Sequence, residues 1–400
     1  MFRSTVFATG LDFPYGMQQL DDGSLLVGVS RPLPGGSYFQ SVGELIRLHD
    51  RDGDGRADGF PTVLYSGLPG VVTAVRRVGG LVFVTSAESG RERISVLFEN
   101  PNKFAPYSLA GVINFAFPPG WEHVTYALDV RRVGREHYEV FFNIGSSGND
   151  SQSSDTVLAT GLVEGVLEGA SVYRFTVRHK NRSVSASGLT RIASGLRNAA
   201  GIGVEPETGD LYFQDNGIDN PAQRSDQISA DELNRIPAAD LGGAVDSFGF
   251  PGSYVAYRSG EFVGGQGLSP VCAFQPLGDP PSESEGASDI AFVPGNFPPM
   301  MRSGVFVGFF GEYGKSGLAN GENPVVFCDR ATGQYYHFIS NDEPRVAHLT
   351  GLLSTRDSLF LADLSHTATL GGGGAGTGVI YQIQAHKRPV QRIPPGKQDR

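Results

Sequence analysis

Three features of the sequence predict an all-β chain. One short apolar strand recurs six times, at positions 25–29, 81–86, 139–145, 210–217, 304–311 and 358–364. Each copy has a second strand of related type downstream, at 43–48, 93–99, 169–175, 231–236, 324–329 and 378–383. The third feature is punctuation: 55 glycines and 25 prolines are spread over 400 residues, and strong helix-forming runs are scarce. That composition suits many short strands joined by turns.

Most copies of the first strand follow a turn such as DDG, VGG, ETG or TRD, with a further apolar segment before the turn. The repeating unit is therefore strand, turn, strand, loop, strand, and it returns at intervals of about 55 to 95 residues. Such a unit cannot bury both of its faces alone, so its neighbours must stack around an axis. Apolar runs bounded by turn signals fit strands buried between such layers. The expectation is a single six-bladed β-propeller over residues 1–385. A solenoid would need shorter and more regular repeats, and a sandwich would leave strands unplaced. The basic stretch 386–400 reads as a tail rather than a binding patch. Segments 31–41, 101–120, 218–230, 242–288 and 364–378 exceed what a hairpin needs and are expected as loops, where function concentrates. The glycine-rich run 371–378 lacks the Lys-Ser/Thr of a phosphate loop.

Charge narrows the function classes. With 32 Lys and Arg against 42 Asp and Glu, the net charge is −10, opposite in sign to the basic footprint of a nucleic-acid binder. No apolar run has membrane-spanning length, and the opening MFRSTVFATGL lacks the apolar core of a secretion signal. Cys272 and Cys328 lack metal-ligand spacing. Whether they pair is open at this stage, because two cysteines do not define a redox compartment.

Three stretches could carry chemistry. Residues 121–150 hold the only Trp, the pair Glu122-His123, a core strand and a polar glycine-rich turn. A carboxylate beside a candidate general base suggests proton handling, although an isolated His123 would read as an ordinary loop histidine. Residues 50–58, DRDGDGRAD, place carboxylates at alternate positions with glycines that let the chain curl. Asp50, Asp52, Asp54, Asp58 and the Arg56 carbonyl could hold a structural calcium, which takes several hard oxygen ligands. The alternative is an acidic turn whose aspartates cap their own backbone. The third stretch is GLRNAAGIGVEPETGDLYFQDNG. There Arg197 offers a planar fork for carboxylates, Asn198 both donor and acceptor capacity, and Asp215-Asn216-Gly217-Ile218 a strand end whose carbonyls can turn to a cation.

That third stretch, followed by DELNRI, resembles the soluble quinoprotein glucose/sorbosone dehydrogenase family. The resemblance spans nearly the whole chain. It includes LDFPYGMQQLDDGSLLVGV, the DRDGDGRAD loop, HVTYALDVRRVGREHYEVFFNIGSSGN and SEGASDIAFVPGNFPPMMRSGVFVGFFGEYGKSG. GSSGN and GEYGK are nearer the sorbosone-type branch. The resemblance implies a six-bladed propeller that binds pyrroloquinoline quinone (PQQ) and calcium, and a sugar or sugar-derived aldehyde as substrate. It implies hydride transfer to the quinone, with an external acceptor receiving the electrons, since no CxxCH haem motif is present.

Position by position, His123 matches the general base and Glu122 its acidic neighbour. Arg197, Asn198, Asn216, Lys315, Arg345 and His348 match cofactor contacts, and the Gly217 and Ile218 carbonyls match calcium ligands. Three departures stand out. Ser146 occupies the place of an aspartate that assists the base, leaving Glu122 or Asp150 to substitute; His348 replaces an arginine; and Val346 stands at the neighbouring basic position. The resemblance further implies a periplasmic or extracellular location. Two other functions use the same scaffold: a non-catalytic propeller that binds carbohydrate or a protein, and a calcium-dependent lactonase with Asn198, Asp215 and Asn216 as candidate ligands.

Overall fold

A computed structural model describes residues 2–100, 106–124, 127–223, 226–278, 285–311, 325–339, 348–367 and 370–385. The chain is a six-bladed β-propeller. Blade 1 comprises Pro14–Gln19, Leu25–Pro32, Ser41–Leu48 and Thr62–Pro69, and blade 2 begins Val71–Val78, Leu81–Glu88, Arg91–Glu99 and Tyr107–Ala116. Blade 3 is built from Leu128–Arg132, His137–Ile144, Ser171–Lys180 and Ser183–Ser194. Gly201–Val204, Leu211–Asp215, Asp231–Ile236 and Cys272–Phe274 form blade 4. Blade 5 follows with Ala287–Phe292, Gly304–Phe309, Val325–Asp329 and Tyr335–Ile339. In blade 6, Leu349–Ser354, Ser358–Asp363 and Gly378–Ala385 are joined by the N-terminal strand Phe2–Leu11, which pairs antiparallel with the last strand and closes the ring.

The twelve strands expected from the repeat are the second and third strands of these blades, paired antiparallel in every case. Their near-continuous apolar character follows from burial on both faces. Six apolar layers separate the blades, one per junction. Leu26, Val72 and Val84 pack between blades 1 and 2, and Phe7, Met17, Phe360 and Ile380 across the closure of blades 6 and 1. The outer strands differ from expectation. Tyr107–Ala116 and Cys272–Phe274 lie inside the segments 101–120 and 242–288, expected as loops. A fourth strand lies far from the axis and is only partly buried, so its sequence carries a broken apolar pattern, as in Tyr107–Ala116. Blade 2 also gains Thr156–Gly161 and Gly165–Glu168 as extra strands. Cys272 of blade 4 and Cys328 of blade 5 form a disulfide across their junction. The basic stretch 386–400 lies outside the described residues. Among the described residues no helix is long and apolar enough to cross a membrane.

The inner strands meet around the axis, and two devices let them do so. The first is close backbone approach: a Cβ on Gly16 would lie 2.5 Å from Val75 N, and one on Gly351 would lie 2.1 Å from the Tyr15 carbonyl oxygen. Blade 1 is seated between its neighbours at those two glycines. The second device is a buried charge network. Arg76 of blade 2 donates from Nε to Asp129 of blade 3 at 3.0 Å and from Nη2 to Asp289 of blade 5 at 3.4 Å. The second oxygen of Asp129 accepts the Val204 N–H of blade 4 at 2.7 Å, and that of Asp289 accepts the Leu352 N–H of blade 6 at 3.2 Å. The hydroxyls of Tyr15 and Ser288 also meet, joining blades 1 and 5.

Removing one partner of a buried ion pair leaves an uncompensated charge, which costs about 3–5 kcal/mol. Arg76→Ala should therefore lower the denaturant midpoint substantially, and Arg76→Lys, which keeps the charge but loses the fork, should fall between. A midpoint for Arg76→Ala equal to that of the wild type would show that the axis does not depend on this network.

Candidate functional site

Antiparallel blades place alternate connections on opposite faces. Loops entering a first strand, and loops joining second to third strands, share one face. His123 precedes the first strand of blade 3, Ser146 follows its second strand, and Arg197-Asn198 precede the first strand of blade 4. Asn216 to Ile218 follow the second strand of blade 4, and His348 precedes the first of blade 6. All therefore sit on one face, around the mouth of the axis.

His123 is buried, and among the described residues its ring is held at Nδ1. Its Nδ1 lies 2.9 Å from Ser146 Oγ and 3.2 Å from the Ser146 carbonyl. A carbonyl only accepts, and the Ser146 hydroxyl already donates to the Gly148 carbonyl at 2.7 Å. Nδ1 is thus the protonated nitrogen, and the lone pair resides on Nε2. Burial, and then the Arg197 charge, lower the imidazole pKa to about 3, with the Ser146 backbone bond opposing the shift. The ring is neutral through the physiological range. The group that orients His123 is Ser146 itself, not Glu122 or Asp150, whose side chains are exposed. Gly145 permits this, since a Cβ there would lie 2.5 Å from His123 Cβ and 3.1 Å from Asn198 Oδ1.

Gly145 thus separates His123 from the blade 4 residues. The Ser146 N–H donates to the Arg197 carbonyl at 2.7 Å. Buried Arg197 donates from Nε to the Asn149 carbonyl at 2.9 Å, and from Nη2 to Asn149 Oδ1 and to Asp219, each at 2.8 Å. Asn198 Nδ2 donates to Asn216 Oδ1 at 3.1 Å, and Asn216 Nδ2 to the Ala287 carbonyl of blade 5 at 2.6 Å. Two carboxylates hold the backbone beneath. Asp215 accepts the N–H groups of Arg197 and Asn198 at 2.9 and 2.6 Å. Asp231 accepts those of Gly217 and Ala287 at 2.6 and 2.7 Å. Burial raises the Asp215 pKa to about 7 against the pull of those bonds, and burial together with the neighbouring Asp215 raises that of Glu232 to about 8.

The remaining expected residues divide. The Ile218 carbonyl accepts the Ile228 N–H at 2.7 Å, which leaves its second lone pair for a cation. His348 is buried, stacks on Phe310 with ring centroids 4.4 Å apart, and directs Nδ1 at the Phe310 carbonyl. Phe310 and Val124, the residue after His123, pack on one apolar cluster of Phe13, Tyr15, Tyr38, Val71, Ala87 and Leu364. The two histidines therefore border the same patch at the axis. Lys315 and Arg345 lie outside the described residues. Asp50, Asp52, Asp54 and Asp58 belong to a loop joining third and fourth strands, so they occupy the opposite face. Asp50, Asp52 and Asp58 bring carboxylate oxygens within 4.8 Å of one another, whereas Asp54 stands outside that group and caps the Arg56 N–H at 2.8 Å.

Among the described residues, Arg197, the amides of Asn198 and Asn216 and a neutral imidazole with its lone pair on Nε2 could together hold a planar, oxygen-rich anion. The positive charge of this set, among the described residues, is Arg197, which already pairs with Asp219. Signals for Asn149, Asp219 and Asp231 were present in GSSGN, DNGID and DELNRI, but only the fold shows what each one binds.

No protein-family model and no curated protein matches the chain. Solved structures do. A PQQ-bound aldose sugar dehydrogenase from Streptomyces coelicolor aligns over 96% of this chain and 98% of its own, with a TM-score of 0.57 at 17% identity. The holo PQQ domain of pyranose dehydrogenase from Coprinopsis cinerea aligns over 96% and 95%, with a TM-score of 0.57 at 16% identity. The calcium form of a Trichoderma reesei carbohydrate-active enzyme of family AA12 aligns over 96% and 95%, with a TM-score of 0.57 at 15% identity. At these identities the likeness establishes the shared propeller fold.

The His123 geometry has a pH signature. Its folded pKa of about 3 lies below the ordinary 6.5, so between those values the unfolded chain binds a proton that the folded chain refuses. Stability contributed by the neutral ring is complete above pH 6.5 and is lost as pH falls towards 3. His123→Gln should lose less stability than the wild type between pH 7 and pH 4, measured by chemical denaturation. Parallel stability curves would contradict the assignment.

Proposed function

We propose that this chain is a quinone-dependent oxidoreductase acting on a sugar or sugar-derived aldehyde, with His123 as general base. The observation that carries the reading is the fixed tautomer: Nδ1 is held by Ser146, so Nε2 presents a lone pair beside Arg197 and Asn198. The reading is supported by solved propellers of the same architecture that include a PQQ-bound aldose sugar dehydrogenase and a pyranose dehydrogenase PQQ domain.

PQQ, when bound, supplies a two-electron acceptor for the hydride leaving the substrate carbon. Arg197, Asn198 and Asn216 would hold its oxygens, together with Lys315, Arg345 and His348. The Gly217 and Ile218 carbonyls would hold calcium. His123 Nε2 takes the hydroxyl proton of the alcohol or hydrated aldehyde. An anion beside Arg197 would offset that charge, the smaller of the two causes that depress His123 after burial, and so raise the imidazole pKa. A groove of about 330 Å³ is lined by Trp121, Ser147, Gln152 and Asp155, residues of the two loops that carry His123 and Ser146. It offers the aromatic face and polar groups that a sugar ring needs. The disulfide fits work in an oxidising, extracytoplasmic compartment.

One observation favours a second reading, a non-catalytic propeller that binds carbohydrate or a protein. Arg197 is already paired with Asp219, as it would be in a site that takes no anion.

Protein given PQQ and calcium should gain quinone absorbance and reduce an artificial electron acceptor. His123→Ala should lower turnover by about 10²- to 10⁴-fold, the usual share of general-base catalysis. No spectral change at saturating PQQ would overturn the proposal, and sugar uptake by calorimetry without quinone uptake would establish the binding propeller instead.

A further inference from the structure

The closure of the ring contains a buried oxygen with nothing bound to it. Gln382 lies on Gly378–Ala385 of blade 6 and is 8% exposed. Its Nε2 donates to Ser358 Oγ at 2.9 Å, but Oε1 has no hydrogen-bond partner. Buried polar atoms are almost always paired, so an orphan of this kind calls for an explanation, an ion among them. This oxygen faces the acidic loop of blade 1: a Cβ built on Gly55 would lie 3.0 Å from it. On the same residue, the Gly55 N–H donates to Asp50 Oδ2 at 3.0 Å. Asp50, Asp52 and Asp58 meanwhile bring carboxylate oxygens to within 4.8 Å of one another.

We propose that Asp50, Asp52, Asp58 and Gln382 form a calcium site that staples blade 1 to blade 6. All four ligands are hard oxygens, which select calcium over metals that prefer nitrogen or sulfur. The aspartates also cap backbone N–H groups of their own loop at Arg51, Gly53, Gly55 and Asp54. A carboxylate oxygen has a second lone pair for a metal, so capping and ligation are compatible. The Arg56 carbonyl and waters would complete the six to eight ligands that calcium takes.

The position gives the site its role. The Ala57 N–H donates to the Phe7 carbonyl at 2.7 Å, so the loop also rests on the N-terminal strand that closes the ring. Gln382 meets the loop that carries the aspartates only when blades 1 and 6 are adjacent. A cation bound there stabilises the closed ring and not the open chain. The site is on the face opposite His123, and its proof needs no quinone.

The test is a thermal melt of the full chain without PQQ, in EGTA and then with calcium at about a hundred times its dissociation constant. Calcium should raise Tm by about 3 °C, and magnesium, which dehydrates reluctantly and needs a near-octahedral cage, should raise it less. Asp52→Asn, an exposed change, should abolish the increment while leaving Tm in EGTA near that of the wild type. Gln382→Leu should reduce the increment at least by half. No calcium increment in the wild type, or an equal one in Asp52→Asn, would overturn the site. An increment lost in Asp52→Asn but unchanged in Gln382→Leu would overturn the staple. Failure of quinone binding would leave each of these outcomes readable.

Discussion

Six inner strands converge on one axis, and Arg76 sets what the other blades must present there. A guanidinium in a place that water barely reaches needs carboxylates, and Asp129 and Asp289 supply them from blades 3 and 5. Each carboxylate then spends its second oxygen on a backbone N–H of a further blade, so that five blades are tied to one cation. The sixth is held by glycines that let its backbone touch its neighbours. An ion network at such a centre adds little to stability compared with apolar packing, but it penalises any misaligned blade heavily. Asp129 lies on the strand that His123 leads into, so the network also fixes the floor of the candidate site.

Above that floor, acidic groups act on the backbone rather than on ligand. Asp215 and Asp231 together hold four N–H groups and thereby set the path of Arg197, Asn198 and Gly217. Ser146 supplies His123 with an uncharged partner. A carboxylate in its place would favour the protonated ring; a hydroxyl that donates elsewhere fixes the tautomer and leaves the charge unfavoured. Among the described residues, the candidate site thus holds a neutral imidazole near one buried cation, Arg197, that is itself paired with Asp219.

Closure has its own chemistry. The N-terminal strand completes blade 6, so the last blade forms only when the two ends of the described chain meet. The disulfide secures the junction of blades 4 and 5, and linking cysteines 56 residues apart restricts the unfolded chain by about 4 kcal/mol in the chain-entropy account. At the closing junction the acidic loop faces Gln382, and the proposed calcium would make the link there ionic where the other is covalent.

Periodicity alone determined the all-β architecture and the number of blades, because strands buried on both faces must be apolar wherever they occur. Residue type determined the candidates: a histidine beside a glycine-rich turn, an Arg-Asn pair before a strand, and carboxylates alternating with glycines. The outer strands escaped, since a fourth strand such as Tyr107–Ala116 is only partly buried and need not be continuously apolar, and so did closure by Phe2–Leu11. Tertiary structure alone decided the partnerships. Ser146 looked like a missing carboxylate and is instead the residue that orients His123; Arg197 looked free for ligand and is paired with Asp219. Gln382 gave no signal at all, because one glutamine in a strand becomes notable only when its oxygen is buried against a loop more than three hundred residues away. Local pattern records what each residue needs around it. Only the closed ring shows which distant residue meets that need.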